Sequence, residues 1–261
     1  MADPLSALNW LVESGADEAI GEEPVNRLVQ KSAPVPPQSA APATTRPRPV
    51  AAPKPAPLIA GDAIGNAMAL AGSASTLEDL RAAMETFDGC ALKRTATNTV
   101  FADGIPGNVL FIGEAPGRDE DRIGKPFVGR AGQLLDKMMA SIGLSRTANA
   151  YITNVINWRP PDNRDPSPEE AAQCLPFLRR HVELAEPKLI ILLGAVAARH
   201  VVGVTEGIMK LRGRWLDYRV GDRMVPVMPT LHPAYLLRQP AHKKLAWRDL
   251  QAARARLESL G

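Results

Sequence analysis

The chain has 261 residues, of which 45% are hydrophobic, and this composition supports one packed domain with additional sequence. Its two cysteines, Cys90 and Cys174, exclude a disulfide framework and favour a reducing cytoplasm. The formal net charge is +3, and the basic excess lies in residues 77–261, so a nucleic-acid partner is compatible with the charge but not required by it.

The N-terminal 75 residues are predicted to lie outside the folded domain. Residues 1–30 include Leu5, Leu8 and Leu11 at helical spacing, which predicts a short helical segment that either packs on the domain or docks to a partner. Residues 31–75 are rich in proline and alanine, which predicts a disordered linker. The acidic start lacks the basic region of a signal peptide, and no apolar run approaches the roughly 18 residues of a membrane span.

The folded domain is predicted to occupy residues 76–261 and to alternate strands with helices. Its first helix, 76–87, has Thr76 as a candidate N-cap. Such alternation indicates an α/β fold with a parallel sheet covered on both faces, in which ligands bind beyond the carboxyl ends of the strands. The predicted strands are 108–113, 150–155, 188–194 and 225–230, and the later helices are 133–143, 168–185, 195–202 and 241–258.

Polar and aromatic residues follow three of these strands. Glu114, Glu120 and Phe127 lie in the Gly/Pro-rich loop after the first strand, Asn154 is near the end of the second, and His232 follows the fourth. Taken singly, they can be solvated charges, a loop anchor, a capping amide and a structural histidine. Together they favour a site for a planar, hydrogen-bonding ligand. The four histidines of the chain show no metal-ligand spacing, so we expect no metal site.

Five motifs in register carry a resemblance through residues 87–255. They are GEAPGRDED (113–121), GKPFVGRAGQLLD (124–136), YITNVINWRPPDNRDPSPEE (151–170), KLRGRW (210–215) and TLHPAYLLR (230–238). In these motifs the chain resembles the family 4 uracil-DNA glycosylases. The resemblance implies a three-layer α/β/α sandwich around a four-stranded parallel sheet, and excision of uracil from DNA for base-excision repair.

The resemblance also implies roles for the site residues. Gly113, Phe127, Asn154 and His232 match the uracil-binding positions: Phe127 stacks on the base, Asn154 reads its edge, and His232 bonds its O2 and assists catalysis.

Two glutamates match the functional acidic positions of the family. Glu114 is expected to activate or position the water, since Ala115 stands where family 1 enzymes carry an aspartate. Glu120 either shares in catalysis or organises the loop.

A flipped base leaves a gap in the duplex, and the phosphates beside it need cationic partners. Leu236 and Leu237 are candidate wedges for that gap. Four arginines are candidate phosphate contacts, with a solvated surface as the alternative for each; they are Arg130, Arg212, Arg214 and Arg238.

The chain departs from the family at its iron–sulfur cluster. Family 4 enzymes hold a [4Fe–4S] cluster with four cysteines, and the matching positions here are Phe87, Cys90, Trp158 and Cys174. Two thiolates are too few for this cluster. We therefore predict that the chain has no cluster, and that the two aromatic rings meet the two cysteines in the space that the cluster occupies in the family.

The expected activity is monofunctional hydrolysis, because no lysine is placed to act as a nucleophile. The expected partner is uracil-containing DNA, bound by a monomer with the nucleoid in a bacterial cytoplasm. One alternative is a DNA-binding or abasic-site-capturing member of the fold without turnover, although 204–215 lacks the histidine that forms covalent adducts in some relatives. Another alternative is an accessory module linked to a polymerase.

Overall fold

The computed structural model describes residues 60–260, so the predicted helical segment at 1–30 and the linker up to residue 59 lie outside the described residues. The first described element is a helix, α1 (Ala60–Ser73). The prediction of a linker through residue 75 is therefore wrong for residues 60–73. This segment has no proline and places Ala63, Ala67 and Ala71 on one buried face, which packs against helix α5 (Pro168–Ala185).

A six-stranded sheet forms the centre of the domain, in the order β1-β3-β2-β4-β6-β5. The four inner strands, β3, β2, β4 and β6, are parallel, which confirms the predicted parallel sheet. The two outer strands are antiparallel additions that the sequence analysis did not predict. The strands are β1 (Asp103–Gly104), β2 (Val109–Gly113), β3 (Ala150–Asn154), β4 (Leu189–Leu193), β5 (Leu216–Val220) and β6 (Arg223–Thr230).

Helices cover both faces of the sheet, as a three-layer sandwich requires. The two capping-box helices begin after Thr76 and Ser167, whose hydroxyl oxygens accept from the backbone N–H three residues on. The first of these two is α2 (Leu77–Thr86), and the second is α5. The other helices are α3 (Arg118–Ile123), α4 (Arg130–Ala140), α6 (Ala195–Val202), α7 (Ile208–Leu211), α8 (Pro233–Arg238) and α9 (Lys243–Ser259).

Alternate residues of the strands supply two separate cores. On one face, Leu110 and Ile112 of β2 belong to a core shared with α1, α2, α5 and α6. On the other face, Val109 and Phe111 belong to a core shared with α4, α8 and α9. Every residue of β2, β3 and β4 is buried, which explains why these strands appear in the sequence as continuous apolar runs.

The carboxyl ends of the inner strands meet at one edge. Gly113 of β2 pairs with Asn154 of β3, and Leu193 of β4 pairs with Thr230 of β6. The loops that leave these ends therefore lie side by side.

Candidate active site

A cavity of about 630 Å³ lies at the carboxyl ends of the inner strands. Its walls include Glu114, Phe127, Asn154 and His232, which were predicted from sequence. The structure thus brings together side chains that are up to 118 positions apart in the chain. Gly113, the last residue of β2, lies next to two of these side chains, Asn154 and Phe127.

Close packing at Gly113 places an amide against an aromatic ring. A Cβ at this position would collide with Asn154 Oδ1 and lie 2.6 Å from the Phe127 ring, so only glycine fits without displacing them. The Asn154 side chain is 1% exposed, and its Oδ1 has no hydrogen-bond partner among the described residues. A buried acceptor without a partner is costly, and it indicates a donor that arrives with a ligand.

The backbone of Phe127 adopts an unusual conformation that fixes its ring. Its φ is +54°, a region that non-glycine residues rarely occupy. Arg146 donates to the carbonyl oxygens of Pro126, at 2.8 Å, and Phe127. Gly132 allows this arrangement because a Cβ there would collide with the Phe127 carbonyl oxygen. The Phe127 ring lies 5.6 Å from the His232 ring at 35°, so both border the same space.

The tautomer of His232 follows from its role as the N-cap of α8. Its Nδ1 accepts the backbone N–H of Ala234 at 3.1 Å, so the ring proton of the neutral imidazole is on Nε2. Burial, with a smaller contribution from Arg238, lowers the pKa of His232 to about 4. At neutral pH this histidine is therefore an uncharged donor.

Glu114 follows β2 directly and borders the cavity with a half-buried side chain. Burial and the nearby Asp165 raise the pKa of its carboxyl, and Arg199 opposes this effect. No side-chain hydrogen bond joins Glu114 to a described residue, so both carboxylate oxygens are available to water or substrate. A carboxylate with a raised pKa is a stronger base while it is ionised.

Glu120 also borders the cavity, but its carboxylate is engaged. Its Oε1 accepts the backbone N–H groups of Val128 and Gly129, both at 2.9 Å. These bonds tie helix α3 to the segment that follows Phe127. The structure therefore favours the loop-organising role of Glu120 and gives no support to its prediction as a catalytic group.

One of the predicted DNA contacts is wrong, and a second is engaged in an ion pair within the fold. Leu236 is 1% exposed and packs in the core with α4 and α9, so it cannot enter a duplex. Arg212 forms an ion pair with the buried Asp249 and donates to the carbonyl oxygen of Leu245 at 2.6 Å. Because α8 is amphipathic, one of its adjacent leucines points inward and Leu237, 37% exposed, points outward.

The other three predicted arginines stay accessible. Arg130, the first residue of α4, and Arg238, which borders the cavity, are exposed. Arg214 pairs with Glu206 at 2.7 Å, and both side chains are about half exposed. Such a pair is weak in water and leaves Arg214 able to exchange its partner.

Two residues that support the site escaped the sequence analysis. Arg146 lies in an irregular loop, and nothing in the neighbouring residues points to its contacts with the Phe127 segment. Asp249 occupies the buried face of α9 beside Leu250, and a charge on an apolar helix face is a signal of a buried ion pair. Its Oδ2 accepts from Thr230 Oγ1 at 2.7 Å, which secures the end of β6 two residues before His232.

The four positions expected to replace the cluster ligands do meet. Phe87, Cys90, Trp158 and Cys174 are each no more than 1% exposed and belong to one core. The two aromatic rings are 6.2 Å apart, and the ring of Phe177 packs edge-on against Phe87 at 5.1 Å.

The donor set in this space does not fit a [4Fe–4S] cluster. The hydrogen bond with the Cys90 thiol and burial raise the pKa of Cys174, which favours the neutral thiol. Two thiols and two aromatic rings provide half of the ligands that such a cluster needs. Within residues 60–260, no group of three His, Cys, Asp or Glu side chains could hold a metal ion.

No helix within the described part of the chain is long and apolar enough to cross a membrane.

Comparisons with known proteins agree with the resemblance. The profile of the Uracil DNA glycosylase superfamily matches residues 104–251. The type-4 uracil-DNA glycosylase of Thermotoga maritima is 39% identical over 176 residues, which are 66% of this chain and 90% of that protein. The type-4 enzyme of Archaeoglobus fulgidus is 41% identical over 170 residues, which are 63% of this chain and 85% of that protein.

A DNA polymerase of Bacillus phage SP01 is 28% identical over 150 residues, which are 58% of this chain but only 16% of the polymerase. This match concerns one segment of the polymerase, so it gives no support to polymerase activity in this chain.

Proposed function

The chain belongs to the uracil DNA glycosylase superfamily and is similar to its type-4 members, and on this premise we propose that it is a monofunctional glycosylase that hydrolyses the N-glycosidic bond of deoxyuridine in DNA. A base in a duplex is inaccessible to such a site, so the nucleotide must flip into the cavity.

The buried Oδ1 of Asn154 is the observation that carries this proposal. Uracil presents an N–H donor between two carbonyl acceptors on its ring edge. The free Oδ1 can accept that N–H, while the Nε2–H of His232 can donate to O2. Phe127 borders the same cavity and offers a ring face on which the flat base can stack. Cytosine has an acceptor where uracil has the N–H, so it would leave Oδ1 without a donor.

The reaction separates charge, and the site offers a group for each charge. As the C1′–N1 bond breaks, its electron pair moves to the base, and the negative charge extends to O2. The neutral His232 stabilises that charge by hydrogen bonding without giving up its proton. Glu114 faces the positive sugar, accepts a proton from the attacking water, and so allows the water oxygen to bond to C1′.

We further propose that this member lacks the family's [4Fe–4S] cluster and is held together at the corresponding place by Phe87, Trp158 and the two cysteines. The donor set supports this proposal, since two of the four ligand positions are aromatic. Iron analysis and visible absorbance of protein purified under anaerobic conditions test it. Stoichiometric iron with broad absorbance at the violet edge of the visible range would refute the proposal.

We also propose that the protein acts as a monomer, with the nucleoid in a bacterial cytoplasm. One chain supplies every group named at the site, so catalysis requires no second copy. Light scattering of the purified protein, alone and with DNA, tests the monomer.

One gel tests the proposed activity. The purified protein is incubated with an end-labelled oligonucleotide that contains one deoxyuridine, and alkali then cleaves abasic sites. We expect cleavage after alkali only, no borohydride-trapped adduct, and no reaction with a cytosine control. Binding without cleavage would favour the abasic-site-capturing alternative, and a trapped adduct would contradict a monofunctional enzyme.

A further inference from the structure

The start of α9 presents a basic face that the site described above does not use. Lys243, Lys244, Trp247 and Arg248 are all exposed, and Trp247 is 41% exposed. With 100° between successive residues, these four positions span about 140° of the helix surface. The opposite side of the helix, which includes Ala246 and Ala253, packs in the core beneath the sheet. We call these four residues the α9 basic face.

The three cations of this face have no local structural explanation. None of them makes an ion pair with a described residue. Lys243 and Lys244 occupy the first turn of α9, which has no acidic residue. Positive charge at a helix N-terminus opposes the helix dipole and lowers stability. Residues that break a local rule without a local gain are often retained for binding.

The α9 basic face continues from the rim of the cavity. Tyr235 borders the cavity, and its hydroxyl lies 2.7 Å from Nδ1 of His242, the residue before Lys243. The two rings are 5.5 Å apart at 24°. The exposed Leu237 and Arg238 lie between them in sequence, so one short segment joins the cavity, the candidate wedge and the basic face.

We propose that the α9 basic face binds the DNA strand that carries the flipped nucleotide, on one side of that nucleotide. Lys243, Lys244 and Arg248 contact phosphates, and Trp247 packs against a neighbouring base. This inference rests on the proposed function, since it takes the strand to enter the cavity. The charge, the exposed indole and the continuity with the rim favour nucleic acid over an acidic protein.

Binding to single-stranded oligonucleotides of two lengths tests the proposal. Each contains one non-hydrolysable deoxyuridine analogue and either two or eight flanking nucleotides on both sides. We expect the wild type to gain affinity with the longer strand. In the triple variant Lys243→Ala/Lys244→Ala/Arg248→Ala, most of that gain should be lost. The dependence of log K on log salt concentration should also become shallower by about 2, from about 0.7 for each of three phosphates.

A matched control removes the same charge elsewhere. Arg179→Ala/Arg219→Ala/Arg223→Ala replaces three exposed arginines, of which Arg219 and Arg223 flank the β5–β6 turn at the opposite end of the sheet from His232. It should keep the length-dependent gain and most of the salt dependence. Trp247→Ala should weaken binding of the longer strand severalfold, and Trp247→Phe should restore most of it.

Three results separate this inference from a structural effect and from failure of the proposed function. The melting temperature of the triple variant should not fall, because Lys243 and Lys244 oppose the helix dipole and the exposed Arg248 makes no ion pair with a described residue. Its kcat on saturating uracil DNA should match the wild type, while KM rises. If the triple variant gains as much affinity from the longer strand as the wild type and keeps the same salt dependence, the proposal that the α9 basic face binds DNA is wrong. Failure of the wild type to release uracil from an oligonucleotide of the longer design that contains ordinary deoxyuridine would instead overturn the proposed function.

Discussion

Arg146 is predicted to act on catalysis through Phe127. Its guanidinium holds the carbonyl oxygens of Pro126 and Phe127, and it also contacts Asp103 at 3.2 Å and Asp136 at 2.7 Å. The side chain is 15% exposed. Arg146→Ala removes every one of these contacts and leaves the Phe127 segment without the donor that fixes it.

The expected magnitude follows from two opposing energies. A residue other than glycine in the left-handed region costs about 1–2 kcal/mol, so the Phe127 backbone tends to leave the observed conformation. Hydrogen bonds to a charged donor contribute about 1.5–3 kcal/mol each, so the two carbonyl bonds from Arg146 outweigh that strain. Without them the ring is no longer held over the cavity. We expect kcat/KM for uracil excision to fall about 10–100-fold, equivalent to about 1.4–2.7 kcal/mol.

A double-mutant cycle measures whether the effect passes through the ring. Single-turnover excision is compared in the wild type, Arg146→Ala, Phe127→Ala and the double variant, each corrected for the folded fraction from thermal unfolding. Once the ring is absent, Arg146→Ala should cost less than about 3-fold. Arg81→Ala, which breaks an exposed pair with Glu85, is the control and should leave the rate unchanged. Equal losses with and without the Phe127 ring would refute the positioning role.

Four further predictions address the reacting groups and the core. Glu114→Gln and His232→Ala should each lower the single-turnover rate about 10²–10³-fold with little effect on DNA affinity, and near-normal rates would remove that residue from the mechanism. Because His232, with a pKa of about 4, stays neutral above pH 5, the acid limb of kcat/KM should reflect the raised pKa of Glu114, and the residual activity of Glu114→Gln should lack that limb. Asn154→Asp, buried and therefore inclined to stay protonated, should shift selectivity towards cytosine, and an unchanged preference for uracil in paired oligonucleotide assays would contradict this. Trp158→Ala should lower the free energy of unfolding by about 3–5 kcal/mol in denaturant titrations, and a much smaller decrease would show that Trp158 does not support the core. Cys90→Ser and Cys174→Ser should leave glycosylase activity largely intact.

The inner sheet could be predicted from sequence because its strands are buried on both faces. Runs such as 108–113 and 188–194 are apolar throughout, and helices separate them in the chain. The outer strands carry weaker signals. β1 has two residues, and β5 alternates partly buried residues with Asp217 and Arg219, a pattern that a surface loop can also show. The sequence analysis does not predict the helix at 60–73, because it places the end of the proline-rich linker at residue 75. The last proline of that linker is Pro57, and the segment 60–73 has none.

The sequence predicts which residues line the site, but it does not predict which of them react and which support the loop. Strand ends place Glu114, Asn154 and His232 at one edge, and this follows from the order of elements alone. Packing against α9 decides which leucine of α8 is exposed. It also decides whether the Arg212 side chain is available to bind a phosphate. The wrong prediction for Leu236 arose there, because the adjacent Leu236 and Leu237 look equivalent in sequence, and the ion pair of Arg212 with Asp249 was not foreseen for the same reason of packing.

Glu114 and Glu120 show what distinguishes a reacting group from a supporting one. Both are glutamates in the same loop, and both border the cavity. Glu120 is committed to the N–H groups of Val128 and Gly129, so moving its carboxylate to substrate would leave two backbone donors without a partner. Among residues 60–260, no hydrogen bond engages the carboxylate of Glu114, and Oδ1 of Asn154 likewise has no partner there. The groups that can act on a base are therefore those whose polar atoms the fold leaves free, and that property depends on contacts that residue spacing does not reveal.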